Sequence, residues 1–171
     1  MKKHVLLTGR PGIGKTTAIR KAIQYIGIER VGGFWSSEMK RDGRRVGFGI
    51  HTVEGEDGIL AHVDRNHGPL VSKYRVNVAD INRVAIPALE RARKCGKIII
   101  IDEIAKMELY SEGFKQEVLK CLNEGRVLGT IQQWSSSFLN QVRNRSDVRM
   151  VEVTTANRDE LPAQIASWFQ Q

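Results

Sequence analysis

Residues 9–16 read Gly-Arg-Pro-Gly-Ile-Gly-Lys-Thr and satisfy the pattern GxxxxGK[ST] at every position. Their surroundings make them a strong constraint on the fold. Before them, His4, Val5, Leu6 and Leu7 open a short strand-like run, expected over 4–8. After them, Ala18, Ile19, Ala22, Ile23 and Ile26 recur at helical spacing over 15–26. Strand, glycine loop and helix in that order describe a phosphate cradle. Glycines permit positive φ and a close backbone approach, so that consecutive N–H groups converge on an anion at the helix N-terminus. Lys15 is expected on the β and γ phosphates and the Thr16 hydroxyl on Mg²⁺. The nucleotide-contacting set is then Gly9, Arg10, Pro11, Gly12, Ile13, Gly14, Lys15, Thr16 and Thr17. A turn with no ligand needs neither the lysine nor the threonine.

Strands and helices alternate along the rest of the chain. Residues 33–40 and 45–53 flank Asp42-Gly43 and predict a hairpin, with a further short strand over 58–64. A helical pattern runs from Asp80 to Lys94, where Pro87 either kinks it or starts a second helix. Lys97–Ile101 is continuously apolar and β-branched, as a central parallel strand covered on both faces must be, and it ends at Asp102 and Glu103. Helices over 112–123, 135–143 and 157–169 and strands over 126–131 and 148–153 complete an α/β pattern. The expected fold is a mostly parallel sheet wrapped by helices, with an antiparallel hairpin extension. At 171 residues one domain, 1–171, is the expectation.

Apolar residues at 41% and charged residues at 27% suit a folded chain. No apolar run approaches the roughly 18 residues a membrane span needs, and no signal-length segment follows the two leading lysines, so a cytoplasmic protein is expected. Cys95 and Cys121 have no companion ligands at metal spacing and are expected to be reduced and partly buried. The net charge of +8 attracts polyanions without choosing between nucleotides and nucleic acid.

The second constellation is IIIIDEIAKMEL, residues 98–109. A carboxylate at the C-terminal end of a buried parallel strand lies on the ligand-binding edge of an open α/β sheet. Asp102 can share the Mg²⁺ with Thr16, and Glu103 can orient the attacking water. On its own, a strand ending in Asp-Glu can equally cap the next element.

Four segments, GRPGIGKTT (9–17), GGFWSSEMKRDGRRVGFGI (32–50), IIIIDEIAKMEL (98–109) and NRDELPAQI (157–165), together resemble the small nucleoside-triphosphatase family of thermophiles and archaea, which has a human cancer-related relative. The resemblance implies a RecA-like P-loop fold and Mg²⁺-dependent hydrolysis of several nucleoside triphosphates, ATP and GTP with CTP and UTP. It places a second nucleotide-contacting segment on Ile101, Asp102, Glu103, Ile104, Ala105 and Lys106. Ala105, Trp35, Ser36 and Gln132 depart from the family's usual residues.

P-loop proteins without an arginine on the transition-state phosphates turn over at roughly 10⁻⁴ per second, and one arginine accelerates them by about 10³ to 10⁵. Arg143 and Arg145, between the 135–143 helix and the 148–153 strand, are the candidates, with Arg10 as a rival. Thr130 reads either as a γ-phosphate sensor or as a plain strand residue. Trp35 and Trp134 are base-stacking or packing residues, and Arg41, Arg44 and Arg45 form a solvated turn or a partner edge. His51, His62 and His67 carry no metal-ligand spacing and read as ordinary. Two other functions compete: a small nucleotide or RNA kinase, which needs an acceptor site where residues 34–64 read as hairpins, and a nucleic-acid-stimulated ATPase switch. No membrane partner is expected, and the assembly state is a monomer or a weak oligomer.

Overall fold

The computed structural model describes residues 1–170. In chain order the elements are β1 (His4–Thr8), α1 (Lys15–Ile26), β2 (Val31–Arg41), β3 (Arg44–Thr52), β4 (Asp57–His62), β5 (Leu70–Val71), β6 (Tyr74–Val76), α2 (Val78–Asp80), α3 (Ile86–Lys94), β7 (Ile98–Ile104), α4 (Glu112–Glu124), β8 (Arg126–Ile131), α5 (Ser137–Arg143), β9 (Val148–Glu152) and α6 (Leu161–Trp168).

All nine strands join one sheet in the order β5-β6-β4-β3-β2-β7-β8-β1-β9. The half from β2 to β9 is parallel, and the half from β3 to β5 is antiparallel. β2 belongs to both. Its first residues pair with β7, Val31 opposite Ile98 through Phe34 opposite Ile101, and its remainder runs past the parallel sheet as one arm of the hairpin turning at Asp42-Gly43. The strand thus begins at Val31, two residues before its apolar alternation suggests.

The four consecutive isoleucines that open β7, Ile98–Ile101, divide between two cores. Ile99 and Ile101 pack with Leu89, Phe114, Val118 and Leu139 from α3, α4 and α5. Ile98 and Ile100 pack with Ile19, Ile23 and Ile165 from α1 and α6. All four are 0–1% exposed, and full burial of such a side chain contributes about 1.5–3 kcal/mol. This two-faced burial removes any polar alternation from the strand.

The 80–94 helical pattern resolves into three segments. α2 starts at Val78 with the Asn77 side chain accepting from the Asp80 N–H, a π-helical turn covers Ile81–Ala85, and α3 carries Pro87 in its first turn. Proline has no N–H to return to the preceding turn and its ring crowds the carbonyl four residues back, so the ladder widens just before it. Likewise α6 starts only at Leu161, with Pro162 in its first turn, because Asn157 is held in a turn by Thr154 and the Glu152 carbonyl. The two-residue β5 and three-residue β6 are too short to leave a periodic signal. No helix among the described residues is long and apolar enough to cross a membrane. Both thiols are free, but they are not alike: Cys95 is exposed, while Cys121 is buried and its thiol is pushed up to about 12 by that burial.

Candidate active site

The glycine loop follows directly from β1. Gly9, at φ 145°, passes so close to β9 that a Cβ would lie 3.1 Å from the Val153 carbonyl oxygen. Gly14 takes the left-handed conformation at the N-cap of α1, where no side chain caps the helix and the first turn holds no acidic residue. The first-turn N–H groups and the positive end of the helix dipole therefore face the loop without a side-chain cap. Arg10, Pro11 and Gly12 are exposed and Ile13 is buried, anchoring the loop. Arg158, in the NRDELPAQI segment, donates to the Ile13 carbonyl at 3.3 Å and lays its stem against Gly14. Its support of the loop went unassigned in the sequence, where nothing local marks it.

Lys15 bridges the two constellations. Its Nζ donates to the Gly9 carbonyl at 2.9 Å and to Glu103 Oε2 at 3.3 Å. Asp102, 2% exposed, accepts from the Thr130 hydroxyl at 2.6 Å through Oδ1, and its Oδ2 is buried without a partner. Burial pushes the Asp102 carboxyl up to about 6; the Thr130 hydrogen bond and the nearby Thr16 hydroxyl hold it down, the Glu103 charge raises it, and Lys15 lowers it. A buried carboxylate oxygen left unpaired this way suits a divalent cation, and the Thr16 hydroxyl beside it is the matching neutral oxygen ligand. Glu108, in the turn 108–110, is a second buried carboxyl near Asp102. Burial first, then the Glu103 charge, pushes it well above the ordinary glutamate range.

Ile101 and Ile104 are buried in β7, and Ala105 behind them, so their contribution is to hold Asp102 and Glu103 at the edge. Lys106 is exposed; its N–H donates to the Gln132 side chain at 2.9 Å and its ammonium lies 5.3 Å over the Trp134 ring. Thr17 lies exposed on α1. Trp35 stacks under the Arg20 guanidinium, 5.5 Å from its ring centre. Arg41 pairs with Asp64 and Arg45 with Glu38, so two of the three hairpin arginines are taken up within the sheet.

The two candidate arginines diverge. Arg143, at the end of α5, reaches back to the carbonyls of Gln132 and Trp134 and to Asn140 Oδ1, on the edge that carries Lys106. Arg145 binds both oxygens of Asp147 at 2.9 Å and the Leu122 carbonyl at 3.2 Å. Those partners lie where β1 and β9 begin, at the edge opposite the loop, so within its own chain Arg145 does not reach the phosphate edge: the chain has turned back to start β9.

Known proteins resemble this chain over nearly its whole length. The sequence profile of the NTPase family fits residues 4–166. The nucleoside-triphosphatase THEP1 of Thermotoga sp. (strain RQ2) is 43% identical over 164 residues, 95% of this chain and 93% of that protein. The crystal structure of THEP1 from the hyperthermophile Aquifex aeolicus superposes with a TM-score of 0.91 at 35% identity, covering 98% of this chain and 99% of that one. The solution structure of a human cancer-related nucleoside triphosphatase gives 0.84 at 35% identity, covering 98% and 97%. A P-loop on β1, an Asp-Glu pair ending β7 and full-length relatives in sequence and in structure place this chain in the nucleoside-triphosphatase (NTPase) family.

Proposed function

We propose that the protein hydrolyses the γ-phosphoanhydride of nucleoside triphosphates, ATP, GTP, CTP and UTP, with Mg²⁺ as cofactor and water as acceptor. The observation that carries this reading is the meeting of Lys15, Glu103 and Asp102 at the mouth of the glycine loop. Lys15 and Glu103 neutralise each other across 3.3 Å. A triphosphate seated on residues 9–17 competes for Lys15, leaving the Glu103 carboxylate to accept a hydrogen bond from water and orient it. Thr16 and Asp102 would hold Mg²⁺, which neutralises developing phosphate charge when bound. Backbone N–H groups and a lysine read phosphates and not bases, which is the physical support for several nucleotides serving as substrates.

We take the whole chain as one domain, and its two free thiols suit residence in the reducing cytoplasm. The test is a screen of ribo- and deoxyribonucleoside triphosphates for free phosphate, with Mg²⁺ and with chelator, with and without acceptor nucleotides. Free phosphate that needs Mg²⁺ and no acceptor supports hydrolysis; phosphate appearing only on an acceptor establishes the kinase instead. Lys15→Ala is expected to lower turnover by about 10²-fold or more, and unchanged turnover would defeat the assignment.

A further inference from the structure

The hairpin extension holds a cluster that the nucleotide site does not use. Ser37 on β2, His51 on β3 and Asp57 on β4 lie on one face of three adjacent strands: Trp35 is directly opposite His51, Ser37 opposite Gly49, and Asp57 opposite His51. Ser37 and His51 are therefore diagonal neighbours, within reach of each other across the ladder. His51 Nδ1 donates to Asp57 Oδ1 at 2.7 Å, which leaves Nε2 as the lone-pair nitrogen; Nε2 accepts the Ser37 hydroxyl at 2.6 Å. The spacing of these residues in the sequence passes over them, and antiparallel pairing assembles them.

Three further observations bear on what this chain of hydrogen bonds can do. Gly49 leaves the pair uncovered, since a Cβ there would lie 3.1 Å from His51 Nε2 and 3.2 Å from Ser37 Oγ. A bulge at the same level pairs Phe48 with Ala61 but Gly49 with Ile59, the kind of irregularity that re-aims strand side chains. Beside the cluster on the same face, Trp35 forms one wall of a cavity of about 410 Å³ whose other walls are Arg20, Ile23, Gln24 and Ile28. That cavity has room and apolar lining for a short hydrocarbon chain.

We propose that Ser37 is a nucleophile activated by His51 and oriented through Asp57, and that it takes activated esters of short apolar acids, the acyl chain lying against Trp35, Ile23 and Ile28. In the step, Ser37 Oγ bonds to the acyl carbon, the hydroxyl proton passes to His51 Nε2, the ester C–O bond breaks, and the departing oxygen takes up that proton. The product is an acyl-Ser37 protein that water can discharge by the reverse use of His51.

The experiment treats the full chain, free of nucleotide, with p-nitrophenyl butyrate and p-nitrophenyl acetate. It reads p-nitrophenolate release and maps the acyl group by peptide mass spectrometry. Butyryl-Ser37 is expected, formed about tenfold faster than acetyl-Ser37 because two more CH₂ groups are buried. Ser37→Ala removes the adduct and leaves nucleoside-triphosphate hydrolysis unchanged. His51→Gln, which keeps a hydrogen-bonding side chain but has no basic nitrogen, slows acylation by about 10²-fold. Trp35→Ala abolishes the preference for butyrate. Acyl groups found only on lysines, or acylation of Ser37 as fast in His51→Gln as in the parent, overturn the activated serine. Equal rates for the two esters overturn the acyl pocket.

Discussion

Glu103 and Lys15 lie 88 positions apart and meet at 3.3 Å, with side chains 27% and 13% exposed. Because the pair is screened only in part, each side chain holds the other until an anion displaces it. Glu103→Gln removes the acceptor charge that orients water while leaving the loop, Lys15, Thr16 and Asp102 in place. Nucleotide binding, followed with a fluorescent analogue, is expected to persist while phosphate release falls by about 10² to 10⁴. Equal losses of binding and rate would make Glu103 a support for the loop instead. The neighbouring residues divide the remaining work: Thr130 commits its hydroxyl to Asp102 Oδ1, and so fixes which Asp102 oxygen is left for a ligand.

Among the elements, β2 is the joint between the parallel sheet and the hairpin. Gly33 sits at that joint with φ 101°, opposite Ile100, and a Cβ there would come within 2.1 Å of the Ile100 carbonyl oxygen. Gly33→Ala must therefore push adjacent backbones apart as well as strain one of them, and is expected to cost at least about 3 kcal/mol. Urea denaturation measures it, and a loss under about 1 kcal/mol would show the joint to be pliant. α5 acts on the site through one side chain. A helical side chain leans toward the helix N-terminus, so Arg143 at the last turn reaches the loop after β8 and ties it to Lys106 through Gln132. These contacts occupy both Nη2 donors and one on Nη1, an arrangement that suits a positioning role. Arg143→Ala is expected to lower kcat by about 10- to 100-fold with KM little changed. Arg145→Ala, at the far edge, is expected to lower the melting temperature and leave kcat unchanged; the reverse pattern would exchange the two roles.

Across the whole molecule, pH couples to stability through buried groups of both signs. His4 is fully buried, with Nδ1 accepting from the Val127 N–H at 3.0 Å and Nε2 donating to the Leu122 carbonyl at 2.9 Å, so both nitrogens are committed in the neutral form. Burial lowers its pKa from 6.5 to about 4, against the pull of Asp147. Between those values the unfolded chain binds a proton that the folded chain refuses, so this contribution is complete above 6.5 and lost as pH falls toward 4. Asp102 works in the opposite sense. Its carboxyl is raised to about 6, so its favourable share is complete below the ordinary carboxyl value of 3.8 and lost as pH rises through 6, and Glu108 adds to that. A difference measurement separates them. The stability gap between the parent and His4→Gln is expected to widen by about 3 kcal/mol from pH 4 to 6.5, and a gap independent of pH would mean that His4 titrates normally in the folded chain.

Periodicity and short-range chemistry are written along the chain, and they were legible there. Continuous apolar runs placed β1 and β7, the 3.6-residue period placed α1, and the glycine loop and the Asp-Glu strand end pointed to Lys15, Thr16, Asp102 and Glu103. Each of these is a statement about a residue's immediate neighbours, which the sequence records directly. Which side chains meet is different, because it depends on strand order and register, and those are settled by pairings between distant segments. Arg143 and Arg145 are two residues apart and end at opposite edges of the sheet because the chain reverses between them. Ser37, His51 and Asp57 touch only because three strands pair in one register, and a shift of one residue would turn His51 to the other face. Trp35 lines a cavity with α1 because β2 packs beside that helix, a contact between elements that no window of the sequence contains.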